Sequence, residues 1–143
     1  TGWCVIKSNS KTLDIDYGFI KIDSKDTFFK FSRFLQSMND IIKKEYRVII
    51  EDSFLGHFNP LTLKLLSKME GIAYTIALQK EVVHVEFILA ISARKQLGLP
   101  CHSKKEEVYQ WLKDKLDIDV KDEDAADAVV LALYGLIIKQ DNK

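Results

Sequence analysis

The feature that most constrains the fold is a short, mostly apolar segment that does not alternate apolar with polar residues, Tyr46 to Ile50. A segment of this kind is typical of a strand that is buried on both faces. A helix is predicted to begin at Pro60, because proline suits the first helical turn, and a further short strand is predicted from Val82 to Val85. The succession of strand, helix and strand favours an α/β fold over an all-helical or all-β one.

Two strands are predicted before this segment. Gly2 to Lys7 is a short apolar run, and Leu13 to Ile22 partly alternates apolar with polar residues, so the two are expected to pair. Asp23 and Ser24 offer an N-cap to the first helix. Helices are predicted over 25–44, from Pro60 to Leu78, over 87–97, from a Ser103 cap to Leu116, and over 124–138. The order β-β-α-β-α-β-α-α-α predicts a mixed sheet with helices on both faces.

Composition sets the broad class of the protein. The 143 residues contain only two prolines and show no compositional break, which predicts a single domain spanning 1–143. Cys4 and Cys101 are too few for a disulfide framework, which indicates a reducing, cytoplasmic setting. The longest apolar run, Val129 to Ile138, is about half the length of a membrane span. Because the chain starts at Thr1 and enters a strand at once, we expect a preceding segment to be missing.

Three carboxylates are candidates for a metal site. Glu51 ends the buried strand, and ligands gather at such strand ends in open α/β sheets. Asp124 and Asp127 are three residues apart, which places both on one face of a helix. Each has a simpler interpretation, because glutamate can end a strand in solvent and acidic residues stabilise helix starts. Asp122 and Glu123 are interpreted only as such helix-start residues. Together the three candidates suit a hard cation such as Mg²⁺, which prefers oxygen ligands. Net charge is zero, which counts mildly against nucleic acid.

These residues resemble the RuvC family of Holliday junction resolvases, and the chain looks closest to the small phage-encoded members. Thr1 to Ile6 is similar to the segment that follows the family's first catalytic aspartate, and Ile49 to Glu51 is similar to the strand that ends in its catalytic glutamate. Asp124 to Ala128 matches the family's D-A-A-D-A helix start. The resemblance implies a ribonuclease H-like fold, with a mixed five-stranded sheet flanked by helices and the first strand missing or disordered.

The resemblance also implies roles for residues outside the three motifs. Phe54 stands where the family places an aromatic residue that inserts at the junction centre, and packing against the core is its simpler interpretation. Arg94 and Lys95 resemble a basic stretch near the family's active site. Lys105 resembles a family lysine at a helix start, which implies a catalytic role beside DNA binding, with Lys104 as a further DNA contact. A solvated helix face would equally explain these basic residues.

The activity that the resemblance implies is endonucleolytic cleavage of four-way DNA junctions by a homodimer. Glu51, Asp124 and Asp127 would bind Mg²⁺, with Mn²⁺ as a substitute and two ions in each active site. The family's first aspartate lies about six residues before the Thr-Gly pair and has no counterpart here. The helix from Pro60 to Leu78 is the expected dimer surface. The expected location is the cytoplasm, which would be the host's if a phage encodes the protein.

Two other functions stay open at this point. A ribonuclease H-like nuclease could act on other branched DNA or on RNA–DNA hybrids. A catalytically degenerate module could bind branched DNA without cutting it, and the absence of an aspartate upstream of Thr1 would favour that interpretation. His57, His84 and His102 lack the spacing of a zinc site, so we expect neither zinc nor an organic cofactor.

Overall fold

A computed structural model describes residues 1–9, 12–53, 59–100 and 104–141 of the chain. The elements follow the predicted order of strands and helices, which is thereby confirmed. They are β1 (Gly2–Ser8), β2 (Leu13–Phe19), α1 (Thr27–Ile41), β3 (Arg47–Glu51), α2 (Pro60–Gln79), β4 (His84–Ile88), α3 (Ala90–Gln96), α4 (Lys105–Leu116) and α5 (Glu123–Asp141). They form two compact units, of which unit 1 contains residues 1–20 and 90–143 and unit 2 contains residues 21–89.

Unit 1 is built on an antiparallel hairpin that α5 covers. β1 and β2 pair along their full lengths, with Cys4 opposite Tyr17, as the sequence predicts. Helix α5 packs on both strands, and α3 and α4 pack against α5. The apolar run of α5 forms the core of this unit. Val129 and Val130 are almost completely inaccessible to solvent, as is Leu112 of α4.

A glycine allows the closest approach between β1 and α5. A Cβ atom on Gly2 would lie 1.8 Å from the carbonyl oxygen of Asp124 and 2.7 Å from the backbone nitrogen of Ala125. Neither backbone atom could move away without moving the first turn of α5. Only a residue without a side chain therefore lets the start of β1 lie against the start of α5.

Unit 2 contains a parallel pair of strands joined by a helical crossover. β3 and β4 pair with Ile50 opposite Phe87, and α2 connects them. Helix α2 packs on β3 and against α1, whose buried residues are Phe34 and Met38. A side chain from outside α1 also binds the C-terminal end of this helix. Nζ of Lys80 donates to the backbone oxygen of Asn39 and, at 2.8 Å, to that of Ile42.

Several predicted boundaries were wrong, each for a local reason. The N-cap of α1 is Asp26, which accepts hydrogen bonds from two backbone amides of the first turn, whereas the predicted Ser24 accepts only from Asp26 itself. β4 begins at His84 rather than at the predicted Val82, because the amide of Val82 is bonded back to the C-terminal end of α2. Glu81 adopts a left-handed conformation and the nitrogen of Val82 donates to Ala77, which is a Schellman-type helix end. The N-cap position of α4 is Lys104, and the predicted cap, Ser103, lies outside the described residues.

The described strands form two separate pairs, so the five-stranded sheet stays a prediction, as does the single domain. Within the described part of the chain, no helix is both long enough and apolar enough to cross a membrane.

Candidate functional site

The first turn of α5 places two aspartates on one helix face. Asp122 caps the helix, since its carboxylate accepts from the amide of Ala125 at 3.0 Å, as the sequence suggests. Ala125 and Ala126 are buried, which turns the helix so that Asp124 and Asp127 lie away from the centre of the core. The side chain of Asp124 is 61% exposed and that of Asp127 only 21%. Oδ2 of Asp124 also lies 2.9 Å from the backbone nitrogen of Thr1, which directly precedes β1.

A cleft of about 240 Å³ opens beside this turn. It lies entirely within unit 1, between the end of α3, the start of α4 and the start of α5. Both acidic and basic side chains line it, together with one phenol. The lining residues are Arg94, Lys104, Lys105, Val108, Tyr109, Glu123, Ala126 and Asp127.

Arg94 and Asp127 form the more deeply placed ion pair of the cleft. Nη2 of Arg94 lies 2.5 Å from Oδ1 of Asp127, and the two side chains are 17% and 21% exposed. Nε of Arg94 is buried without a hydrogen-bond partner among the described residues. This ion pair holds the Asp127 side chain in one direction, toward the end of α3.

Lys105 and Glu123 form a second, more exposed pair. The ammonium of Lys105 donates to Oε2 of Glu123 across the cleft. This hydrogen bond is the main reason that the pKa of Lys105 is raised, so the lysine keeps its positive charge. Desolvation raises the pKa of Tyr109, and the nearby Glu123 carboxylate adds to the rise. At neutral pH Lys105 therefore lines the cleft as a cation and Tyr109 as a neutral phenol.

The structure brings four of the predicted site residues together, namely Arg94, Lys104, Lys105 and Asp127, which all line the cleft. Asp124 lies one turn before Asp127, and Lys95 is exposed on the last turn of α3. Glu51 is the last residue of β3 in unit 2. Phe54 lies outside the described residues.

The donor chemistry of this turn fits a divalent cation. Two carboxylates within one helical turn supply hard oxygen atoms, which Mg²⁺ prefers. Oδ1 of Asp127 is already bonded to Arg94, so a cation there would share the carboxylate with the guanidinium. Within the described ranges, no three His, Cys, Asp or Glu side chains gather closely enough to hold a metal ion.

The sequence did not indicate that Glu123 and Tyr109 belong to the cleft. Glu123 was interpreted only as a helix-start residue, although it also binds Lys105. Tyr109 lies one turn after Lys105 on α4, and this i, i+4 spacing is the one local signal that could have found it.

The fold first defines the class of protein. A solved structure of Thermus thermophilus RuvC matches 99% of this chain and 89% of its own, with a TM-score of 0.78 and 18% sequence identity. The ribonuclease H-like α/β fold is therefore confirmed. No curated protein sequence matches the chain.

A sequence model of one family, described as crossover junction endodeoxyribonuclease RuvC, matches residues 1–134. The chain belongs to this RuvC family, and membership places it among the Holliday junction resolvase nucleases. Proteins of the family depend in general on divalent metal ions, bind branched DNA and are generally dimeric.

Proposed function

We propose that this protein is a Mg²⁺-dependent, structure-selective endonuclease that resolves Holliday junctions by paired phosphodiester cuts in recombination. It would act in the cytoplasm, which is the host's if a phage encodes the protein. The observation that carries the proposal is the cleft of unit 1, where Asp127 from the D-A-A-D-A turn meets basic side chains of α3 and α4. Carboxylate oxygens that would bind a metal ion lie there beside cationic side chains that would bind the phosphates of DNA.

Asp124 and Asp127 would hold the metal ion through carboxylate oxygens. Glu51 joins this set because it resembles the family's strand-end glutamate. When bound, a pair of Mg²⁺ ions supplies an activated water molecule and charge stabilisation at the phosphate, with Mn²⁺ as a substitute. The pairing of Arg94 with Asp127 supports the assignment, since it keeps the side chain of Asp127 oriented in the cleft.

The basic residues of the cleft would bind the DNA backbone. Lys104 and Lys105 stand at the start of α4, and the side chain of Lys105 is 59% exposed, so it is accessible to a phosphate. Glu123 holds the Lys105 ammonium at the cleft. Charge developing on a phosphate oxygen in the transition state would be stabilised by this ammonium. Lys95 on the exposed end of α3 would extend the basic surface, and Phe54 would stack on an unpaired base.

We further propose a homodimer formed through α2. This helix leaves large apolar side chains in solvent, with Leu61 at 80%, Leu78 at 55% and Tyr74 at 39% exposure. Tyr74 and Leu78 lie one turn apart, and adjoining exposed apolar groups of this kind are typical of a protein–protein interface. Two identical sites would suit the two-fold symmetry of a four-way junction and would cut strands of like polarity.

Cleavage assays with the full-length protein test the proposal. A labelled four-way junction should be cut in Mg²⁺, and Asp124→Asn and Glu51→Gln should abolish cutting while junction binding in gel shifts persists. Asp114→Asn, an exposed change on α4, is the matched control and should cut normally. Retained cleavage by either site variant would refute the metal-ligand assignment.

The choice of substrate separates the remaining possibilities. Four-way, three-way and flap DNA and an RNA–DNA hybrid are compared at equal concentration. Preference for the four-way junction supports resolution, whereas faster cutting of a flap or hybrid supports a ribonuclease H-like nuclease of other specificity. Binding of every branched DNA without any cutting supports a degenerate binding module.

A further inference from the structure

A glutamate of α2 holds the backbone that directly follows β3. The nitrogen of Asp52 donates to the carbonyl oxygen of Ile88 at 2.9 Å, which continues the ladder between β3 and β4 by one bond. β4 ends at Ile88, and the next amide, that of Ser53, donates to Oε1 of Glu70 at 2.9 Å. The side chain of Glu70 therefore accepts the bond where the neighbouring strand has stopped.

The position of Glu70 makes this bond informative. Glu70 lies in the middle of α2, far from either helix end, so it neither caps the helix nor interacts with the partial charges of its termini. Its bond to Ser53 is partly buried and joins residues 17 positions apart. A charged acceptor makes a stronger hydrogen bond than a neutral one. The bond consequently fixes the chain two residues after Glu51 to a rigid helix.

We propose that Glu70 is a positioning residue for Glu51, and this inference rests on the proposed function, in which Glu51 is a metal ligand. Ladder bonds hold the residues of β3 on one side of Glu51, and the Ile88 and Glu70 bonds hold Asp52 and Ser53 on the other. With both sides fixed, the backbone that carries the Glu51 carboxylate has one orientation. A ligand that is fixed in advance costs less conformational entropy when a metal ion binds.

Direct titration of the full-length protein with Mn²⁺ tests this inference without cleavage. Glu70→Met removes the acceptor but keeps a long, helix-forming side chain. Glu70→Gln keeps an acceptor oxygen, and Glu45→Ala removes an exposed glutamate elsewhere in unit 2. We expect Glu70→Met to weaken Mn²⁺ binding about tenfold, with the other two within about threefold of wild type. Equal affinity in Glu70→Met, or a loss in Glu70→Gln as large as in Glu70→Met, would overturn the inference.

Amide exchange and kinetics separate positioning from a structural role. The Ser53 amide should exchange about tenfold faster in Glu70→Met than in wild type, and Glu70→Gln should restore its protection. On four-way junctions, Glu70→Met should lower kcat about tenfold while KM stays within about twofold. A raised KM with unchanged kcat, or a Ser53 amide that is equally protected in all variants, would contradict the inference.

The two proposals can fail separately. If the wild-type protein cuts no branched DNA but Glu70→Met still weakens Mn²⁺ binding, the proposed function fails and the positioning role stands. If the wild type cuts junctions and Glu70→Met matches it in both Mn²⁺ affinity and kcat, the positioning role alone fails.

Discussion

Helices α2 and α5 are the longest in the molecule among the described residues, with 20 and 19 residues, and both are rich in apolar side chains. They use those side chains differently. In α5, Val129, Val130 and Leu133 are buried against the rest of unit 1. In α2, only Ala73, Ile76 and Ala77 are buried, and larger apolar residues remain in solvent.

The difference teaches that apolar content alone does not tell whether the rest of its unit covers a helix. α5 packs on a hairpin and touches α3 and α4 as well, so several elements cover it. α2 packs on β3 and α1, and Tyr74 contacts Phe87 of β4, but Leu61 and Leu78 remain largely exposed. The acidic side chains of the two helices also differ in position. The two aspartates lie at the start of α5, whereas Glu70 lies in the middle of α2.

The largest expected effect tests whether the aspartates at the start of α5 bind a metal ion or only stabilise the helix start. Asp127→Asn should lower the cleavage rate on the order of a thousandfold, because an amide is a poor ligand for Mg²⁺ and a poor partner for Arg94. Asp122→Asn in the same turn should leave cleavage and stability near wild type, because asparagine caps a helix as well as aspartate. Single-turnover kinetics on a four-way junction measure the cleavage rates of both variants. An equal loss of rate in the two would mean that Asp127, like Asp122, only stabilises the helix start.

The next effect compares burial on the two helices directly. Leu133→Ala on α5 removes a side chain that is 7% exposed and should lower the free energy of unfolding by about 2–4 kcal/mol. Leu78→Ala on α2, at 55% exposure, should change the free energy of unfolding of the monomer by less than about 0.5 kcal/mol. Urea denaturation at low protein concentration measures both. Comparable losses would mean that α2 is as much a core helix as α5.

Two glycines give a matched pair of substitutions. Gly2→Ala should destabilise the protein by about 1–3 kcal/mol and slow cleavage, because its Cβ would displace the backbone of Asp124. Gly71→Ala on α2 meets nothing within 4 Å and should stabilise the helix by up to about 1 kcal/mol. Thermal denaturation ranks the two variants. A tolerated Gly2→Ala would argue against the close approach of β1 and α5.

A dimer through α2 predicts a smaller but specific effect. Leu78→Glu should weaken self-association about thirtyfold, because it would place a charge in an apolar interface, and should leave the unfolding of the monomer almost unchanged. Sedimentation over a range of concentrations measures the association. A wild-type protein that stays monomeric throughout would exclude this interface.

The smallest effect concerns the hairpin on which α5 packs. Burial, with a contribution from Asp16, raises the pKa of the Cys4 thiol from 9.0 to about 12. The unfolded chain therefore loses this proton at a lower pH than the folded one, so stability falls as pH rises from about 9 towards 12. At pH 10 the loss should be about 1 kcal/mol relative to pH 7, and Cys4→Val should remove this loss. Paired urea melts test it, and an identical pH dependence in both proteins would contradict it.

The element order was predictable from sequence because each segment has a clear period and a local start or stop signal. The hairpin needed only two strands and a turn, and β3 only its short, mostly apolar run. The start of β4 was not predictable in this way. Val82 and Val83 look like the start of a strand, but the left-handed Glu81 makes Val82 part of the end of α2. Such a helix end depends on backbone conformation rather than on periodicity.

The candidate site, like the fold, was predictable only where a local sequence pattern carries the residues. One motif carries both Asp124 and Asp127. The position of Asp122 at the start of α5 predicts a capping residue. The pairs Arg94–Asp127 and Lys105–Glu123 join residues 33 and 18 positions apart, so no local pattern contains them. Glu70 was missed for the same reason, because its partner is an amide 17 positions away.

The division of unit 1 into two chain segments has a consequence during synthesis on the ribosome. Unit 2 is one continuous stretch and can complete its contacts soon after Leu89 emerges. The hairpin of residues 1–20 must wait for α5, more than 100 residues later. At about 5–20 residues per second, its apolar face stays uncovered for roughly ten seconds, an interval in which a nascent chain is open to chaperones.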